Sequence, residues 1–93
     1  MKIDNQRNTK SLSFVREFYQ NCPVVMTKDN NDCVGRVVSV GEDEMRIAVT
    51  EYDSQEILYY TITDFTADLV RKITREEYML YRLKGWYLPN DIR

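Results

Sequence analysis

Ninety-three residues suffice for one small domain with a single core and not for two. The composition, 43% hydrophobic and 30% charged, is that of a chain that folds in water. No apolar run approaches the ~18 residues of a membrane span, and MKIDNQRNTKSLS at the N-terminus lacks the apolar core of a secretory signal. The expectation is a cytoplasmic protein with no membrane partner. A net charge of −2 conceals an acidic centre: residues 29–68 hold ten acids against Arg36 and Arg46, a net −8, between two flanks of +3 each. Such a field opposes general attraction to phosphate and suits head-to-tail contacts between copies or a basic face on a partner. The plainer alternative is a solvated mixed surface.

In chain order, Leu12, Val15, Phe18 and Tyr19 recur at helical spacing and predict a helix over 9–21, capped at Thr9 or Ser11 and ended by Pro23. Val24 to Thr27 is a short β-branched run, followed by KDNND, whose residues tolerate left-handed backbone and predict a hairpin turn. Cys33 to Val40 reads as the second strand, GEDE as a turn, and Met45 to Glu51 as the third strand. In that strand Met45, Ile47 and Val49 alternate with Arg46, Ala48 and Thr50, which predicts one buried and one wet face. Glu56 to Thr63 predicts a fourth strand with Leu58, Tyr60 and Ile62 on one face and Ile57, Tyr59 and Thr61 on the other. Asp68 to Ile73 predicts a short fifth strand. Thr74-Arg75-Glu76-Glu77 fits a capping box and opens a C-terminal helix over 74–85, ended by Gly85, with Trp86 folding back on the last turn and residues 86–93 as a tail.

The expected fold is therefore mainly β with flanking helices: an N-terminal helix, four to five antiparallel strands over 24–73 closed as a small barrel, and a C-terminal helix. Gly35 inside the second strand is the point at which that strand bends to close the barrel. The segment VVMTKDNNDCVGRVVSVGEDEMRIAVT resembles the first half of Sm-like proteins, with Gly35 and Met45 at the matching positions, and the helix and strands are also similar to those of the small YolD-like proteins. Both resemblances imply an SH3/Sm-like barrel. The Sm family's RNA site does not carry over, because Gly41 and Arg46 fall where its aspartate and asparagine are expected and its Arg-Gly motif is missing.

The chain has no histidine, which removes the commonest general base at neutral pH and the Ser-His-Asp and Cys-His systems, so no enzymatic activity is expected. Two cysteines, Cys22 and Cys33, match no zinc spacing and read as reduced, small buried residues; no metal and no cofactor are expected. Seven tyrosines and one tryptophan are the most suggestive feature, since aromatic side chains with a polar edge concentrate at binding hot spots. Tyr60, Tyr78 and Tyr81 sit on predicted apolar faces. Tyr52, Tyr59, Trp86 and Tyr87, with the acidic turn Glu42, Asp43 and Glu44, are the candidate partner-binding residues. The reading is a non-enzymatic protein-interaction module that binds a partner protein or itself through strand edges, acidic hairpins and exposed aromatics, in the manner of a phage or mobile-element protein acting on a host factor. The alternative is an Sm-like RNA-binding ring in which Arg36, Arg46 and Tyr59 hold the nucleic acid. The acidic centre disfavours RNA, and both arginines are expected to neutralise Glu42, Glu44 and Glu51 across the hairpin instead.

Overall fold

A computed structural model describes residues 14–88. Five strands, β1 (Pro23–Lys28), β2 (Asn31–Val40), β3 (Met45–Glu51), β4 (Leu58–Ile62) and β5 (Val70–Lys72), form one antiparallel sheet in the order β4-β3-β2-β1-β5. A 3-10 turn, Ala67–Leu69, precedes β5, and a helix, α1 (Arg75–Lys84), follows it. The β1–β2 hairpin is tight because Asp29 and Asn30 both take positive φ, 54° and 66°, leaving Lys28 opposite Asn31. Two left-handed central residues match the right-handed twist of the strands they join.

Sheet and helix bury two clusters on opposite sheet faces. On one face lie Val24, Met26, Cys33, Val37, Met45, Ile47, Val49, Ile62 and Val70, with Cys22 and the half-buried Phe14, Phe18, Leu58 and Tyr60 against them. On the other, Val25, Val34, Ile73, Tyr78 and Leu88 pack with Tyr81 and Trp86, so α1 and the chain after it cover this side. The predicted wet face of β3 is corrected accordingly: Ala48 and Thr50 are buried and only Arg46 of that set is exposed. Strand β4 keeps the expected faces, with Ile62 buried, Leu58 and Tyr60 against the first cluster, and Ile57, Tyr59 and Thr61 exposed.

Gly35 pairs with Val49 in the β2–β3 ladder. A Cβ there would fall on the Ala48 carbonyl oxygen and 2.7 Å from Val49 Cα, so the glycine is needed for close approach of β3. Two residues on, the register shifts between Val37 and Ser39, and the bulge at Val38 increases the local bend and twist. No β4–β5 pairing closes the sheet among the described residues. The two edge strands are joined through residues 63–69, and Ile62 and Val70 meet in one core.

The helix expected over 9–21 is corrected. Residues 9–13 lie outside the described residues, 14–16 are helical, and 17–22 are turn and irregular chain. The reason is tertiary: Asn21, at φ 71°, donates its amide to the Val37 carbonyl, and Val37 donates to the Cys22 carbonyl, so β2 takes the backbone that a longer helix would use. Strand β4 starts at Leu58 rather than Glu56, because Ser54 Oγ accepts from the Glu56 amide and holds the turn open two residues longer. The first half of the fifth predicted strand is the 3-10 turn.

Helix α1 has the predicted ends. Thr74 Oγ1 accepts from the Glu77 amide at 3.0 Å, and the Glu77 carboxylate accepts from the Thr74 amide at 2.9 Å. Gly85 adopts φ 126° beyond the last turn, and Trp86 donates its amide to the Tyr81 carbonyl, satisfying a terminal acceptor. Thr74→Ala should remove about 1 kcal/mol of stability, read as a lower urea midpoint, with Thr74→Ser restoring most of it.

Candidate interaction surfaces

The candidate residues fall on three separate surfaces. At the first, the end of α1 returns to the β1–β2 hairpin. Trp86 is half-buried: its indole N–H donates to the Asp32 carbonyl at 3.2 Å, and its ring lies edge-on to Tyr52 and Tyr81 at 5.1 and 5.0 Å. Tyr52 also forms a single bridge with Trp86 and lies so close to Gly85 that a Cβ there would meet its Cε1 at 2.6 Å. Thr27 and Tyr81 hydroxyls donate to the two Asp32 carboxylate oxygens at 3.1 and 3.4 Å. Tyr52, Trp86 and Asp32 thus anchor the helix end while also lining an open hollow of about 520 Å³ with Asn30, Asn31 and Glu51. Tyr87 is exposed beside it, next to a smaller groove shared with Met79, Arg82 and Leu83.

The second surface is the outer face of β3 and β4. Here Arg46 and Tyr59 come together, the guanidinium 5.8 Å from the ring centroid, a cation–π contact between neighbouring strands. Arg36, half-buried, shares a hollow of about 30 Å³ with Ala48, Thr50, Ile57, Tyr59 and Leu88. Thr50 Oγ1 is buried there without a hydrogen-bond partner. The expected neutralisation of Glu42, Glu44 and Glu51 by the two arginines is corrected: Arg46 lies over the Tyr59 ring instead, and Glu77 is an acid that does pair, with Arg71 at 4.0 Å. Arg46 finds Tyr59 because the register sets Arg46 opposite Thr61 and Ala48 opposite Tyr59, one diagonal step away.

The third surface was not signalled by any of the candidate aromatics. Phe65, in the turn after β4, is 93% exposed, the most exposed large apolar side chain among the described residues. Its turn is locked locally: Thr66 Oγ1 accepts from the Thr63 amide at 3.0 Å, and Thr63 Oγ1 accepts from the Phe65 amide at 3.3 Å. That geometry aims the ring outward. On one side it borders an open groove of about 680 Å³ floored by Phe14, Phe18 and Val70 and edged by Glu17, Asp64 and Asp68. On the other it borders a hollow of about 220 Å³ with Asp43, Glu44 and Thr63. The acidic turn Glu42-Asp43-Glu44 is exposed, and the Gly41 amide donates a hydrogen bond to the Glu44 carbonyl at 2.8 Å. A phenylalanine inside the polar run TDFTAD, outside the period of the preceding strand, is the signal that could have found this surface.

Both thiols are free and buried in the first cluster. Burial pushes the Cys22 and Cys33 thiols up, for Cys33 with help from the Glu51 carboxylate, and burial together with Asp32 pushes the Tyr81 phenol up. A raised thiol stays protonated at neutral pH and is a poor nucleophile. The folded chain holds these three protons more tightly than the unfolded chain. The associated stability is full below the ordinary values of 9.0 for the thiols and 10.0 for the phenol, and is lost as pH rises through the higher folded values. The denaturant midpoint should therefore fall above about pH 9, and both thiols should react with a thiol reagent at pH 8 only on unfolding; a midpoint that rises above pH 9 contradicts this.

No three acids or thiols converge as a metal-ligand group among the described residues, and no described helix is long and apolar enough to cross a membrane. Comparison with protein families, curated proteins and solved structures finds no match to this chain.

Proposed function

We propose that this chain is a non-enzymatic protein-interaction module, working in the cytoplasm, built on an SH3-like small barrel and docking a protein partner through its acidic turn and exposed aromatics. One observation carries the reading: Phe65 stands almost wholly in solvent between two grooves whose rims are acidic, in a place where it contributes nothing to either core cluster. Phe65 shares its larger groove with Phe14, Phe18, Ala67 and Val70, so it belongs to an apolar patch with a charged rim rather than standing as a single exposed ring; such patches mark interaction sites, and aromatic anchors with a polar rim are the anatomy of binding hot spots. The barrel assignment is supported by the meander order β4-β3-β2-β1-β5, the 3-10 turn before β5, and the shared core of Ile62 and Val70. Affinity capture from the native cell tests the function, with the wild-type chain as one bait and a Glu42→Lys, Asp43→Lys, Glu44→Lys variant as the other. A protein retained by the first and lost from the second is the expected result; identical captures sink the assignment of this surface.

A second reading, an RNA-binding protein of the Sm-like kind, is favoured by the Arg46–Tyr59 pair with Arg36 at its side, since stacked aromatic and guanidinium groups accept bases. Oligo-U and oligo-A titrations at two salt concentrations decide it. Binding that weakens steeply with salt supports the reading, and no binding at low salt removes it.

A further inference from the structure

Resting on the interaction-module reading, we infer that the occupant of the Phe65 groove is α1 of a second copy of this chain, so that the protein associates with itself head to tail. The groove has a floor of Phe14, Phe18 and Val70, the projecting ring of Phe65, and acids at its edges; neither it nor the adjoining hollow has a lysine or arginine in its lining. Its complement is on the same molecule. Helix α1 turns Tyr78 into the second cluster and leaves Met79, Leu80 and Leu83 facing solvent, Leu83 at 83% exposure. Arg82 and Lys84 occupy the same last turn. An apolar ridge with cations at one end thus complements an apolar trough with anions at its rim, the pattern of helix-in-groove recognition with electrostatic complementarity.

The placement of the two surfaces sets the symmetry. Phe14, Phe18 and Val70 belong with the first core cluster, whereas α1 packs on the second, across the sheet. Ridge and groove are different patches on opposite sheet faces, so the contact is heterologous. Each copy that docks its ridge leaves its own groove open, and assembly continues until a ring closes or the chain of subunits ends. The division of the sequence into an acidic centre and basic flanks is the same complementarity in one dimension.

Light scattering of the full chain from roughly 10 μM to roughly 1 mM tests this, with Phe65→Glu and Leu83→Glu variants alone and mixed. The wild type should grow in mass with concentration, and less so in 1 M salt, where screening shortens the Debye length to ~3 Å. Each variant alone should be monomeric, because one lacks a groove and the other lacks a ridge. An equimolar mixture should form a one-to-one dimer and nothing larger, since one intact ridge meets one intact groove. Both positions are exposed; should Leu83→Glu fail to fold, Lys84→Glu serves in its place, weakening assembly by ~10-fold as for loss of one hot-spot contact. A wild type that stays monomeric throughout, variants that still assemble, or a mixture that stays monomeric each overturns the inference. Monomers with residues 1–13 crosslinking to position 65 would assign the groove to the chain's own N-terminus. Monomers alongside a foreign protein captured through the acidic turn would overturn self-association and leave the interaction-module reading standing.

Discussion

Gly35→Ala should remove about 3 kcal/mol of stability or more, at the upper end of what overpacking costs. The added methyl does not meet a flexible side chain that can swing away. It meets the Ala48 carbonyl and the Val49 Cα, main-chain atoms of a central strand paired on both sides. Relief requires β2 and β3 to separate where their ladder runs through Gly35 and Val49, and Cys33, Val37, Ile47 and Val49 of the first cluster depend on that spacing. In a domain whose net stability is of order 5–15 kcal/mol, the change should lower the thermal midpoint by roughly 12 °C or more, at ~4 °C or more per kcal/mol for this size. Gly41→Ala is the control. Gly41 is exposed in the acidic turn, its Cβ would sit 3.3 Å from the Glu44 carbonyl oxygen, and a small shift of the turn absorbs it. If both variants melt together with the wild type, the close approach of β3 is not what requires a glycine at position 35.

Phe65→Glu should weaken partner binding by about 10- to 100-fold, the loss typical of a hot-spot side chain, while leaving the thermal midpoint within a few degrees of the wild type. The two expectations come from the same number, 93% exposure: a side chain with no role in either cluster can be replaced without opening a cavity. Reversing Glu42, Asp43 and Glu44 to lysine should act in the same direction and in a salt-dependent way, because these charges are exposed and act through screened fields. Tyr59→Ala reports on a different face and should leave that binding intact, since Tyr59 is engaged by Arg46 on the outside of β3 and β4.

The parts of this fold that local chemistry decides were legible in the sequence. Asp29 and Asn30 tolerate the left-handed turn they occupy; Thr74 and Glu77 make the reciprocal cap; Gly85 and Trp86 end α1; and Met45, Ile47 and Val49 alternate into the core. What escaped the sequence was set by residues far apart in the chain. The helix expected to reach Asn21 stops early because Val37 claims the Asn21 and Cys22 backbone, and Ala48 and Thr50 are buried on a face expected to be wet. Of the candidate site residues, Asp43 and Glu44 share a hollow with Phe65, whose exposure the sequence does not reveal because an exposed and a buried phenylalanine look alike in it. Tyr52 and Trp86, candidate partner-binding aromatics, also hold the end of α1 against the hairpin, as the expected return of Trp86 onto the last turn requires. Arg46, expected to neutralise acids across the hairpin, lies over Tyr59 instead, and the register explains why.

The most direct test of the account is a photo-crosslinking amino acid placed at position 65 in one chain and at position 59 in another, each irradiated in its native cell. A protein adduct, a second copy included, that forms from position 65 and disappears when Glu42, Asp43 and Glu44 are reversed is the predicted result. Adducts from position 59 alone, whether to protein or to RNA, would contradict it and move the functional surface to the outer face of β3 and β4.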